Sequence, residues 1–171
     1  LQRNSKKMNK LKIVFAGTPR FAESYLTSLI ESKHDVVCVF TQPSKRSGRG
    51  LKFKHSPVRN TAEKNSIDIR QPEKITIKET DALTEINPDI VIVVAYGLML
   101  TNEFMSVPRF GCINVHPSLL PRWRGAAPIQ RAIEAGDKLS GITIMKMIEK
   151  LDAGDIIYQE PVKIDDCDSS S

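Results

Sequence analysis

Asn114 and His116 stand two residues apart in the run Gly111-Cys112-Ile113-Asn114-Val115-His116-Pro117-Ser118-Leu119-Leu120-Pro121, where an apolar strand runs out into a proline-bounded turn. Residues i and i+2 of a strand point to one face, so this amide and imidazole are expected to project into the same space. An amide donates to a developing oxyanion, and an imidazole carries a proton near neutral pH. A strand end is also where an open α/β sheet builds its site. Downstream, Leu151-Asp152-Ala153-Gly154-Asp155 lies between two strand signals. A carboxylate returning from there would orient the imidazole and hold a water. The competing reading is that Asp152 and Asp155 only build a turn with Gly154. His34 falls in a helix-to-strand loop and His55 in a basic loop, positions more often surface than catalytic.

Two further segments carry chemical signals. From Thr41 to Lys54 the chain gathers Lys45, Arg46, Arg49, Lys52 and Lys54 without an acidic residue, and Gly48 and Gly50 flank Arg49. Charge of this kind binds phosphates and should weaken with salt; an ordinary solvated loop is the equal alternative. Arg122-Trp123-Arg124-Gly125 has the look of a shaped binding loop, although a tryptophan there more commonly caps a core. Gly17-Thr18-Pro19 follows a strand and opens a helix, but it is neither a dinucleotide fingerprint nor a P-loop. A helix N-terminus facing the crevice is the expected role.

These residues need a scaffold, and the hydrophobic pattern describes one. Ile13–Gly17, Asp35–Thr41, Asp68–Arg70, Asp89–Gly97, Phe110–Val115, Gly141–Met147 and Ile156–Ile164 read as strands. Helical patterns lie between them: one from Thr18 (N-cap) and Pro19, one over Ser56–Asn65, a weak one over Lys78–Ile86 and one over Ala127–Ala135. Gln42–Pro57 reads as a polar connection too long for a minimal turn. Alternation of this kind predicts an α/β fold, a Rossmann-like doubly wound and mostly parallel sheet with helices on both faces.

Composition narrows the class. With 171 residues, 40% hydrophobic and 26% charged, the chain has the makings of one soluble domain with a real core. A net charge of +5 and a pI near 9.2 point only weakly to a polyanion. Cys38, Cys112 and Cys167 form no C-x-x-C pair, so buried or free thiols are expected in place of a disulfide framework or zinc site. The basic stretch over residues 1–10 reads as a flexible leader without the apolar segment of a signal peptide, and a cytoplasmic location is the expectation.

Together the segments Ile13–Pro19, Val39–Pro43, Ser47–Gly50, Ser56–Val58, Val93–Gly97, Gly111–Gln130 and Leu151–Asp155 closely resemble the methionyl-tRNA formyltransferase family. Asn-x-His with a later Asp alone would indicate the wider folate-dependent formyltransferase superfamily; Thr-Gln-Pro and Leu-Pro-Arg-Trp-Arg-Gly-Ala-Ala-Pro-Ile-Gln make the likeness narrower. The resemblance implies a catalytic domain over residues 11–171 with Asn114, His116 and Asp152 as catalytic trio. It implies 10-formyltetrahydrofolate as co-substrate, bordered by Ser118, Leu119, Leu120, Pro121, Tyr96 and Gly97, with no metal. It further implies a basic loop of Lys45, Arg46, Arg49 and Lys52 against methionyl-initiator tRNA, and a monomer. Family members continue into more of this domain and then a tRNA-binding β-barrel, and this sequence stops at Ser171.

The mechanism implied is attack by the aminoacyl amine on the formyl carbon. Asn114 and protonated His116 stabilise the oxyanion, and Asp152 keeps the imidazole charged. A formyltetrahydrofolate hydrolase, a nucleotide-sugar formyltransferase and a non-catalytic folate- or RNA-binding fragment are the alternatives.

Overall fold

A computed structural model describes residues 10–47 and 52–170. The leader up to residue 9, together with Gly48, Arg49 and Gly50, lies outside the described residues.

Five short parallel strands come first: β1 (Lys12–Gly17), β2 (Asp35–Phe40), β5 (Asp68–Arg70), β6 (Ile90–Val94) and β7 (Cys112–His116). Two longer antiparallel strands, β8 (Leu139–Lys146) and β9 (Ile156–Lys163), extend the same sheet, whose order is β5-β2-β1-β6-β7-β8-β9. The central parallel strands β1 and β6 are apolar runs buried on both faces, as crossover connections require. Along β1, Val14 and Ala16 enter one core with Phe40, Leu83, Val91 and Phe104, while Phe15 enters the other with Ala22, Leu26, Val58 and Val115. The helices divide accordingly. α1 (Arg20–Ile30) and α2 (Pro57–Lys64) cover the second face, and α3 (Ile77–Ile86) and α4 (Asn102–Ser106) cover the first. This is the doubly wound α/β architecture expected, ending in an antiparallel extension. Strand order reverses between β1 and β6, the switch point at which such sheets open a crevice.

Local chemistry explains the boundaries. α2 begins at Ser56, whose Oγ accepts the Arg59 N–H at 3.0 Å, with Pro57 as its first residue. α1 differs from the expectation: it starts at Arg20 with Pro19 at its cap, and no side chain caps it. The Thr18 hydroxyl donates instead to the Tyr96 carbonyl at 2.9 Å. The stretch from Gln42 to Pro57 is not wholly a loop either. It holds a two-stranded antiparallel ribbon, β3 (Lys45–Ser47) and β4 (Lys52–Lys54). α5 (Pro128–Glu134) closes at Gly136 as anticipated, and α4 is a five-residue helix without a clear sequence signal. Among the described residues, no helix is long and apolar enough to cross a membrane.

Candidate active site

β7 sits between β6 and β8, with Val93 opposite Asn114 on one side and Met145 and Thr143 opposite Asn114 and His116 on the other. A strand paired on both edges cannot slip register without turning its side chains over. Asn114 and His116 therefore share the face of Cys112, as the i, i+2 spacing predicts. The connection from β8 to β9 folds back across β7 and delivers Asp152, whose φ of 45° places it in the left-handed region. Gly154 makes the fold-back possible: a Cβ there would lie 1.9 Å from the Lys146 carbonyl oxygen.

The three side chains meet. Asp152 Oδ1 accepts from Asn114 Nδ2 at 3.5 Å, and Asp152 Oδ2 stands 3.7 Å from His116 Nδ1. The same Oδ2 accepts the Gly125 N–H at 2.7 Å, which anchors the carboxylate from the far side. His116 and Asp152 side chains are only 5% and 7% exposed, so their interaction is little screened by solvent. The second imidazole nitrogen, His116 Nε2, lies 2.9 Å from the Trp123 carbonyl oxygen.

Over the trio opens a cavity of about 550 Å³, a size that takes a drug-sized ligand. Val93, Leu98, Met99, Leu100 and Met147 give it an apolar wall, and Gly125–Pro128 the opposite rim. Tyr96 and Gly97 line it, but the Tyr96 ring is 2% exposed and packed with Phe40 and Phe104, so backbone is what it presents. Its carbonyl accepts from Thr18 Oγ1 and from Gln42 Nε2, the latter at 3.1 Å. Gly97 has φ of 81°, a left-handed conformation that favours glycine, and a Cβ there would fall 2.3 Å from Gln42 Nε2 and push that side chain off the Tyr96 carbonyl.

Ser118, Leu119, Leu120 and Pro121 are not brought to this cavity. Ser118 is fully buried; its Oγ donates to the Arg122 carbonyl at 2.6 Å and its own carbonyl accepts from Thr143 Oγ1. The Leu120 N–H donates to Thr143 Oγ1 at 3.1 Å, and the Leu120 carbonyl accepts from Gln159 Nε2. These residues pin the turn after β7 to β8 and β9. Arg122 and Trp123 are likewise occupied. Arg122 Nε and Nη2 donate to Asp137 at 2.8 and 2.7 Å, and Trp123 Nε1 donates to Asp137 Oδ2 at 2.8 Å. Asp137 carries no sequence signal beyond standing after Gly136, and it was missed.

Lys45 pairs in register with Lys54, Arg46 with Phe53 and Ser47 with Lys52, so the basic residues share one ribbon. The ribbon springs from the end of β2, where Gln42 ties it to the cavity rim through Tyr96. At its foot Ser44 Oγ lies 2.6 Å from His55 Nδ1 and accepts from Arg59 Nη1. Gly17, in contrast, serves packing: a Cβ there would press within 2.9 Å of Phe15, Ala22 and the Val94 carbonyl.

Cys112 stands two residues before Asn114, and burial pushes its thiol up to about 12. Cys38 is likewise raised to about 12, first by burial and then by Asp68. Neither is a thiolate at neutral pH. Among the described residues, no three His, Cys, Asp or Glu side chains come together as a metal-binding group.

Comparison with known proteins places this geometry. The family described as formyl transferase matches residues 10–171. Phosphoribosylglycinamide formyltransferase from Bacillus halodurans superposes with a TM-score of 0.75 at 23% identity, over 92% of this chain and 82% of that one. The Brucella melitensis phosphoribosylglycinamide formyltransferase gives 0.71 at 25% identity, over 94% and 84%. A formyltetrahydrofolate deformylase from Pseudomonas syringae gives 0.70 at 23% identity, over 95% of this chain and 54% of that one.

Proposed function

We propose, on the premise that this chain belongs to the formyl transferase family, that it passes a formyl group from 10-formyltetrahydrofolate to the α-amine of methionyl-initiator tRNA. The observation that carries the reading is the meeting of Asn114, His116 and Asp152 at the floor of one apolar-walled cavity. The folate supplies an activated formyl carbon and a leaving nitrogen. The cavity volume of about 550 Å³ suits a fused-ring ligand, with the trio at its floor.

The chain's own residues do the rest. An amide nitrogen has two N–H groups, and only one of those on Asn114 can face Asp152. The other is free to donate to the formyl oxygen as charge gathers there, a contact typically worth about 3 kcal/mol. His116 holds a proton at the reacting centre. Asp152, anchored by the Gly125 N–H, offsets that charge and fixes the ring's direction. The cavity gives an amine its way in, and the burial of His116 and Asp152 keeps bulk water from them.

Supporting a polyanionic acceptor is the ribbon of Lys45, Arg46, Lys52 and Lys54, with Arg49 between its strands in sequence, rooted beside the cavity rim. Hydrolysis or formylation of a small ribonucleotide needs no such ribbon. The test is to mix the full chain with 10-formyltetrahydrofolate alone, with methionyl-tRNA, and with glycinamide ribonucleotide. Formyl-methionyl-tRNA in the second mixture alone, with a rate that falls steeply as salt rises, is the expected result. Deformylation in the first mixture, or product only in the third, overturns the reading.

A further inference from the structure

The last atom on His116 to be accounted for is Nε2, and its partner decides which nitrogen works. The Trp123 carbonyl oxygen, 2.9 Å away, can only accept a hydrogen bond. Nε2 therefore carries a hydrogen, and in the neutral ring the lone pair belongs to Nδ1, the atom that faces Asp152 across 3.7 Å. A neutral ring carrying its proton on Nδ1 instead would set the Nε2 lone pair against that carbonyl oxygen.

The residue that presents this carbonyl, Trp123, adopts a φ of 61°, a left-handed conformation that large residues rarely take. Something must hold it there, and the neighbourhood supplies one charged anchor. Asp137 Oδ2 accepts from both the Trp123 indole N–H and Arg122 Nε, and Oδ1 accepts from Arg122 Nη2. The Arg122 guanidinium lies 4.4 Å over the indole ring, and the Arg122 carbonyl accepts from buried Ser118. The Asp137 side chain is only 16% exposed, so the anchor is half-sheltered from water. The turn is thus clamped on either side of the one carbonyl that reaches His116.

We propose that Asp137 is a positioning residue: by holding Trp123 in its left-handed conformation it keeps the proton of His116 on Nε2 and leaves Nδ1 as the nitrogen that exchanges the catalytic proton. The inference rests on the reading of His116 as the proton carrier, and it adds a residue that touches neither substrate nor imidazole.

The test is a long-range proton–nitrogen correlation spectrum of the histidine rings in the full chain labelled with nitrogen-15. Only three histidines are present, so His116 is assigned by the signal lost in His116→Asn. With the ring titrated to its neutral form, the unmodified chain should show a single tautomer with hydrogen on Nε2. Asp137→Asn, and Trp123→Phe as the milder variant that keeps the carboxylate–guanidinium pair, should show a mixture of tautomers. Both should lower kcat by roughly tenfold or more while the KM for folate stays within about twofold. A neutral ring with its proton on Nδ1 in the unmodified chain, or a single unchanged tautomer in both variants, overturns the proposal. The spectrum needs no formyl donor, so the expected tautomers in a protein inactive on methionyl-tRNA would uphold the positioning role and sink the proposed activity.

Discussion

Replacing Gly154 with alanine tests the site without touching a reacting atom. An added Cβ would stand 1.9 Å from the Lys146 carbonyl oxygen and 2.9 Å from its carbon. Normal contact requires the two segments to part by more than about 1 Å. β8 cannot yield, because Lys146 is paired with Ile113 and the Met147 N–H donates to the Cys112 carbonyl at 2.9 Å. The turn carrying Asp152 must move instead. A 1 Å retreat stretches the 2.7 Å bond from the Gly125 N–H beyond hydrogen-bonding distance. A hydrogen bond to a charged group is worth about 1.5 to 3 kcal/mol. Widening the 3.7 Å gap to His116 by the same amount removes roughly another 1 kcal/mol of attraction to an imidazolium, at an effective dielectric of about 20. Turnover should fall by about a hundredfold or more, read as formyl transfer under saturating folate, with circular dichroism reporting the fold. Gly136→Ala is the control. Its φ is 69° with no neighbour within 4 Å, so it should cost about 1 kcal/mol of stability and leave turnover intact. A folded Gly154→Ala protein with unchanged turnover would refute the dependence of activity on where the turn holds Asp152.

Three other outcomes are expected. His116→Ala or Asp152→Asn should lower turnover by roughly 10² to 10⁴ with folate affinity, measured by calorimetry, nearly unchanged; near-normal rates would remove both from the chemistry. The Tyr96 hydroxyl is buried without a hydrogen-bond partner among the described residues, so Tyr96→Phe should raise stability by about 1 kcal/mol in a denaturant titration, and a lower midpoint would count against it. Arg122, and after it the Trp123 indole, hold the Asp137 carboxyl down to about 2. A lowered carboxyl stabilises above its unfolded value near 4, and the benefit goes as pH falls toward about 2. The stability difference between the unmodified chain and Asp137→Asn should therefore hold at pH 5 and shrink steadily as pH falls from about 4 through about 2; a difference independent of pH contradicts the assignment.

What the sequence made legible follows from where the physics is local. β6 is an unbroken β-branched run, and the Asn114–His116 relation in β7 needs only the two-residue period of a strand. Ser56-Pro57 marks a helix start by its own chemistry. β3 and β4 escaped because three-residue strands of mostly charged residues have neither alternation nor an apolar face. Thr18 misled for a related reason: its hydroxyl has a better acceptor in Tyr96, far along the chain. Arg122 and Trp123 looked like ligand-binding groups because their partner, Asp137, lies beyond an intervening helix. Long-range pairing of this kind leaves no periodic trace.

The Tyr96 carbonyl joins the first crossover, the root of the basic ribbon and the cavity rim. An oxygen of this type has two lone pairs, and Thr18 and Gln42 take both. The rim is thereby held to the root of the ribbon, so a displacement of Gln42 would be felt at the cavity wall.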